Sequence, residues 1–333
     1  MNSRELFRKT LQVTNTQRPA FVPFVFGLAA RIDQTPLAEM VLDPTYYANL
    51  LEGAQKLLQQ DAIITNFDPN LEAEIFGCQV GQQNDYDLPV VTGWSDCKLD
   101  AVSIERSSRI PVMLEAIKRL VATRGKDVGI VGVVTGPVSM AHNITQNAKL
   151  DINYPATDII SLTGNQLIKL TKSICEAKVD ALIFREDRLA GKYPAELASQ
   201  TNSYADVYTT LFNLTRFYNI ASLILMRTTE LVDVEKVAGK LRPNGIILNG
   251  KQFDTAELVR LKSLSEAQQI AIGLPLPMRD QDEMMAQYQA IDEFIKNNQT
   301  RGFFYTSDGE VPTSIALETL HALVARMKGA QED

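Results

Sequence analysis

The stretch "GIVGVVTGPVSMAH" (residues 129–142) is an apolar run that stops on Thr-Gly-Pro and then turns small and polar. A short unbroken apolar run, without the alternation of a half-exposed strand, is the pattern of a strand covered on both faces. Such strands belong to parallel sheets, whose connections cross over through a helix. The same kind of run recurs at "FVPFVF" (21–26), "AIIT" (62–65), "ALIF" (181–184), "SLILM" (222–226), "GIIL" (245–248), "QIAIG" (269–273) and "GFFYT" (302–306). With "GIVGVV" (129–134) this makes eight candidate strands.

Helical patterns lie between most of them. After "LDP", residues Tyr47, Leu50, Leu51, Ala54, Leu57 and Leu58 fall on one face, with Asp43 placed as N-cap and Pro44 at the first helical position. Ile160, Leu167, Ile168 and Ile174 line a helix from 156 to 177, and Leu317, Leu320, Val324 and Met327 line the last one. His321 is expected on that same apolar face as a packed residue. Eight strand–helix steps in 333 residues predict an α/β fold, a (β/α)8 TIM barrel, which usually needs about 250 residues plus insertions. A doubly wound sheet is the rival; no Gly-rich phosphate turn follows the first strand to favour it. The surplus length sits at 77–107, a segment beginning "GCQVGQQNDYDLPVVTGWSD", where Gly, Pro, Asp and Asn separate short alternating runs. It is expected to be a β-hairpin insertion after the second βα unit.

No linker, charge block or low-complexity tract divides the chain, so residues 1–333 are expected to form one domain. Hydrophobic residues make up 45% of it, enough for a large core. The net charge is −7 with Lys and Arg scattered singly, which leaves no basic stripe for nucleic acid. "MNSRELFRKTLQV" reads as an amphipathic helix rather than a signal peptide, and the longest apolar stretches, such as "FVPFVFGLAA", are too short to span a bilayer. A cytoplasmic protein without membrane contact is expected. Three widely spaced cysteines, Cys78, Cys97 and Cys175, suggest neither a disulfide framework nor a metal knuckle.

In a (β/α)8 barrel the working residues lie just past the C-terminal strand ends. That rule selects Arg31, Asn66, Asp68, His142, Asn143, Arg185, Glu186, Asp187, Arg227, Asn249, Ser307 and Asp308. Asp68 at a strand end is either a site carboxylate or a helix cap. Arg31 is an anion clamp or a surface ion pair. In "REDR" (185–188), one of Glu186 or Asp187 should point into the barrel mouth. His142, one turn past Thr-Gly-Pro, is one of two histidines and is either structural or catalytic. Arg227 either holds an anionic group or pairs with Asp187 or Asp308. Glu310, before "VP", reads first as a helix N-terminal charge and ranks below Arg227.

At these positions the chain resembles a known family. "RPAFVPFVFGLAAR", "DAIITNFDPNLEAEIFG", "GVVTGPVSMA", "DALIFREDRLAG" and "DGEVPTSIALETL" occur in the order and spacing of the uroporphyrinogen decarboxylase superfamily, which contains the porphyrin-pathway decarboxylase and the corrinoid-linked methyltransferases. The resemblance implies a (β/α)8 barrel. Of the decarboxylase's two carboxylate-binding arginines after the first strand, the first falls on Gly27 and the second on Arg31; its catalytic Asp falls on Asp68, its tyrosine near Asn143 and its histidine near Asp308. A substrate with eight carboxylates would lose most of its partners here. The thiol methyltransferases carry a His-x-Cys and a later Cys that bind zinc; those positions fall on Met226, Thr228 and Gly309, so no zinc is expected at a thiolate site. "TGP" is closer to methyltransferase members than to the decarboxylase's Gly-Ala-Pro.

The resemblance therefore implies a methyltransferase between a small methylated substrate and a corrinoid (cobalamin) carried by a partner protein, with a homodimer possible. In it Asp68, His142 and Asp187 would be catalytic, Asp68 and His142 managing the leaving-group proton. Arg31, Arg185 and Arg227 would bind anionic groups, and Asn66, Asn143, Glu186, Asn249, Ser307 and Asp308 would contact substrate. The alternatives are a decarboxylase of a smaller carboxylated substrate and a non-catalytic barrel that binds a tetrapyrrole or corrinoid.

Overall fold

A computed structural model describes residues 1–94, 109–147, 156–189, 203–228, 230–250 and 252–329. Its strands are β1 (Ala62–Ile64), β2 (Cys78–Gly81), β3 (Val90–Trp94), β4 (Gly129–Thr135), β5 (Ala181–Glu186), β6 (Ala221–Arg227), β7 (Gly245–Asn249), β8 (Ala271–Leu276) and β9 (Phe303–Ser307). The helices are α1 (Ser3–Leu11), α2 (Gly27–Ile32), α3 (Leu37–Met40), α4 (Pro44–Leu58), α5 (Ile110–Thr123), α6 (Pro137–Asn147), α7 (Ala156–Glu176), α8 (Ser203–Phe217), α9 (Leu231–Leu241), α10 (Thr255–Gln268), α11 (Gln281–Asn298) and α12 (Leu317–Lys328).

Seven strands form one parallel sheet in the order β1-β4-β5-β6-β7-β8-β9. Every residue of β4, β8 and β9 is buried, as the unbroken apolar runs require. One apolar core runs from Leu6 to Met327, and each fully buried Leu, Ile or Val contributes about 1.5–3 kcal/mol. The expected first strand, 21–26, is not a strand. Pro23 has no N–H to give a ladder, and the segment keeps two isolated parallel bridges, Phe21 to Tyr305 and Phe24 to Glu310. It still spans the gap between the sheet's edges: Tyr305 N donates to Ala20 O and Val22 N to Tyr305 O, both at 2.8 Å, while Asp61 N donates to Phe21 O at 2.8 Å.

The hairpin β2/β3 is antiparallel and lies within the second strand–helix unit, between β1 and α5 rather than after it. The remainder of the expected insertion, 95–107, lies outside the described residues. Asp43 caps α4 by accepting from Tyr46 N, with Pro44 in the first turn, as the sequence suggests. His321 departs from expectation: it is exposed on α12, whose buried stripe is Leu320, Leu323, Val324 and Met327. Cys78 and Cys175 are buried. Among the described residues no helix is long and apolar enough to cross a membrane.

Candidate functional site

The strands run further than the apolar runs alone indicate. Arg185, Glu186, Arg227, Asn249 and Ser307 are the last residues of β5, β6, β7 and β9, not of the loops after them. The strand pleat therefore sends neighbouring side chains to opposite sides, and Arg185 and Glu186 have different fates.

Glu186 points under α6. Its Oε1 accepts from Val138 N at 3.0 Å and Tyr208 Oη at 2.6 Å, and its Oε2 accepts from Ser139 N at 2.8 Å. A carboxylate on the free amides of a first helical turn satisfies groups that have no partner within the helix. Burial pushes this carboxyl up to about 7, against the pull of Tyr208, Ser139 and the amides. A Cβ on Gly136 would lie 2.4 Å from Glu186 Cδ. Thr-Gly-Pro is thus the turn that admits the next strand's carboxylate beneath the helix.

On β1's side, Asn66 Oδ1 accepts Asp68 N at 3.1 Å and Asp68 Oδ1 accepts Asn70 N at 2.9 Å, which fixes the loop. Asp68 Oδ2 meets Arg109 Nη2 at 2.6 Å, and the same nitrogen meets Glu74 Oε1 at 2.6 Å. Burial pushes the Asp68 carboxyl up, while Arg109 and the Asn70 amide hold it down. A short bond from a guanidinium is that of an ionised carboxylate. Glu72, buried behind it, has both oxygens occupied by Thr135 N at 3.0 Å and Thr135 Oγ1 at 2.9 Å, and burial pushes it up to about 7.

Arg185 reaches across the mouth. Its Nε bonds Asp187 Oδ2 at 3.0 Å, its Nη1 donates to Phe67 O at 3.2 Å, and its Cζ lies 4.7 Å from the Phe67 ring centroid. Phe67 stacks on Phe24 at 4.4 Å, and Phe24 bridges to Glu310. Glu310 Oε1 accepts from Phe26 N at 2.7 Å and Gly27 N at 2.6 Å. Its Oε2 is buried with no hydrogen-bond partner among the described residues. Burial pushes Glu310 up to about 8, opposed by the amides and by Arg185, whose charge also acts on Asp68.

The other expected residues lie around this centre. Ser307 Oγ accepts Phe24 N at 2.8 Å and donates to Gly309 O at 2.6 Å. Asp308 Oδ1 accepts Met278 N at 3.2 Å, and Arg31 Nη1 donates to Ile315 O at 3.2 Å. Asn143 Nδ2 donates to Pro69 O at 3.4 Å. His142 is half-buried, and burial, with Arg188, holds its imidazole below the usual value. Arg227 is exposed at the end of β6, and Asp187 takes Arg185 rather than Arg227 as its partner. The fold brings Asn66, Asp68, Arg185 and Asp187 together with two groups the sequence reading left out or ranked low, Arg109 and Glu310. Arg109 had no motif around it; Glu310 had only its place after the last strand.

Four further positions bear on chemistry. At the three places where zinc-binding relatives would have His and Cys, Met226 is buried, Thr228 is bonded through its hydroxyl to Glu230 O at 3.2 Å, and Gly309 sits at φ 128°. A thioether, a hydroxyl and a glycine do not fit a thiolate zinc centre. Among the described residues no three His, Cys, Asp or Glu side chains could hold a metal ion together. At Gly27, a Cβ would lie 2.3 Å from the Tyr86 carbonyl oxygen, so the hairpin loop occupies the space a side chain would need.

Comparison with known proteins agrees with this architecture. The methylcobamide:CoM methyltransferase MtbA of Methanosarcina acetivorans is 34% identical over 112 residues, 32% of this chain and 33% of that protein. The MtbA of Methanosarcina mazei is 30% identical over 123 residues, 35% of this chain and 36% of its own length. The matched chain thus spans about a third of these relatives. A methyltransferase from Methanosarcina mazei has the same fold, with a TM-score of 0.79 over 99% of each chain at 16% identity. Residues 2–182, more than half of the chain, match the uroporphyrinogen decarboxylase (URO-D) family, and the protein belongs to that family.

Proposed function

We propose that the protein is a methyltransferase that moves a methyl group between a small methylated substrate and a corrinoid carried by a partner protein, acting from one (β/α)8 barrel in which 20–24 stands for the first strand. The corrinoid, when bound, supplies the cobalt that gives or takes the methyl. The observation that carries the reading is the Glu310 carboxyl: one oxygen is anchored by two backbone amides, and the other is buried without a partner beside Arg185. An unsatisfied buried polar atom needs an explanation, and a carboxylic acid that keeps its proton near neutral pH is a proton donor for a departing heteroatom.

The roles then differ from those the sequence suggested. As the bond between the methyl and its donor heteroatom breaks, the heteroatom takes the proton from Glu310 Oε2. Asp68, ionised against Arg109, holds a positive or hydrogen-bond-donating part of the substrate. Arg185 and the exposed Arg227 face anionic groups, with Arg31, Asn143 and Asn249 at the edge of the same mouth. Glu186 and Ser307 support the backbone around it. A decarboxylase built on paired arginines is disfavoured, because the first arginine position is Gly27 under the Tyr86 carbonyl.

Cobalt absorbance tests the reading. Mixing the protein with methylcobalamin-loaded corrinoid protein and candidate acceptors, or with the reduced corrinoid protein and methylated donors, should interconvert methylated and demethylated cobalt spectra. An unchanged spectrum with every pair would overturn it.

A further inference from the structure

A cavity of about 700 Å³ lies at the opposite end of the sheet from the mouth. Its walls are the 15–19 loop, the C-terminal turns of α11 and α12, and the 299–303 connection into β9. Five cations line it, Arg18, Lys296, Arg301, Arg326 and Lys328, with one carboxylate, Asp292. The chain as a whole carries a net charge of −7, so this concentration runs against its composition.

Much of that positive charge is offset locally. Lys296 pairs with Asp292 at 2.6 Å, and Arg18 pairs with Asp61 at 2.7 Å. Arg326 and Lys328 both lie in the last turn of α12, where the helix C-terminus favours positive charge. Arg301 and Lys328 are then the two wall cations that form no ion pair with a described residue. Lys328 reaches the neutral Gln59 Oε1, at 2.9 Å, and its ammonium is held below its usual value by burial and by Arg18, against Asp61. The Tyr288 hydroxyl in the same wall is pushed up to about 12 by burial and by Asp292, against Arg326 and Arg18. Arg301 is exposed and enters no ion pair among the described residues. Thr300 Oγ1, also in the wall, is buried without a hydrogen-bond partner among the described residues. Like charges gathered around a polar cavity repel one another until an anion enters.

We propose that this cavity binds a phosphorylated small molecule, its phosphoryl group held between Arg301, Arg326 and Lys328 and its remainder against Tyr288 and the 15–19 loop. A phosphate monoester carries about two negative charges near neutral pH, which Arg301 and Lys328 complement, and the volume suits a ligand of metabolite size. The site is separate from the methyl-transfer mouth and does not depend on what happens there.

Calorimetric titration with phenyl phosphate at low salt, beside inorganic phosphate, sulfate and phenol, tests it. Phenyl phosphate should bind with a sub-millimolar Kd and more tightly than inorganic phosphate, and phenol should not bind. Replacing Arg301 and Lys328 together by Ala should weaken phenyl phosphate about tenfold or more. Replacing Lys118 and Lys172, on the outer helices, should leave it unchanged. Because both cavity side chains are exposed, the double variant should keep the wild-type circular dichroism and melting temperature without ligand. No binding at millimolar phenyl phosphate, an equal loss in the Lys118/Lys172 variant, or sulfate binding as tightly as the monoester would each overturn the proposal.

Discussion

At the scale of single residues, the group that carries the proposed chemistry is Glu310. Its neighbours in sequence, Gly309 and Val311, give no hint of a proton donor, and a helix-capping reading is half correct, since Oε1 does accept amides at the start of α2. Only the packing of 21–27 and β9 against it removes water from Oε2 and raises the carboxyl to about 8. Glu310→Gln keeps the shape and the anchoring carbonyl but has no titrating proton. Methyl transfer in the protonating direction should fall about 10²-fold or more in this variant. In the wild type the rate should drop as pH rises through about 8, and stopped-flow cobalt absorbance should find that step missing in the variant. A variant with the wild-type rate and the same pH step would remove Glu310 from the chemistry. The place of Asp68 after a strand was legible; its pairing was not, because Arg109 stands far away in sequence.

At the scale of elements, the Thr-Gly-Pro turn shows how a strand end and a helix start share one carboxylate. The sequence indicates the turn and the helix that begins at Pro137. It does not indicate that Gly136 is needed because Glu186, from the adjacent β5, fills the position of its side chain. Gly136→Ala should therefore destabilise the protein by about 1–3 kcal/mol, as overpacking of a tight core does, measured by urea denaturation. Gly136→Ala combined with Glu186→Ala should lose less than the sum of the two single changes, because removing the carboxylate makes room for the methyl. Simple additivity would show that the contact does not matter. The hairpin β2/β3 acts similarly at the mouth: Asp85 O accepts from Leu37 N at 2.7 Å, and the adjacent Tyr86 carbonyl closes over Gly27.

For the whole molecule, three enclosed carboxyls, Glu72, Glu186 and Glu310, titrate at about 7, about 7 and about 8, each above the ordinary glutamate value of 4.5 because burial disfavours the charge. A carboxyl raised on folding binds its proton more tightly in the native state. Its contribution to stability is therefore complete below 4.5 and is lost as pH rises through its folded value. The melting temperature should accordingly decline between 4.5 and about 8, after allowance for other groups, and Glu310→Gln should flatten the upper part of that decline. Differential scanning calorimetry across this range checks the slope; a melting temperature that rises steadily to about 8 would show that these carboxyls are not held neutral.

What the sequence determined by itself was the class of fold and a ring of candidate positions at the strand ends. Unbroken apolar runs can be buried only on both faces, and crossover helices then follow from the geometry of parallel strands. Family resemblance narrowed the ring, and Gly27, Met226, Thr228 and Gly309 were departures that the resemblance implied from the sequence alone. What only the tertiary structure decided was which ring residues are free to act. The sequence reading grouped Glu186 with Asp187 as alternatives, but strand pleat sends one under a helix and leaves the other with Arg185. The pairing of Asp68 with Arg109, the enclosure of Glu310 and the cationic cavity at the far end all join segments distant in the chain. Burial and charge depend on neighbours in space, so no local pattern records them.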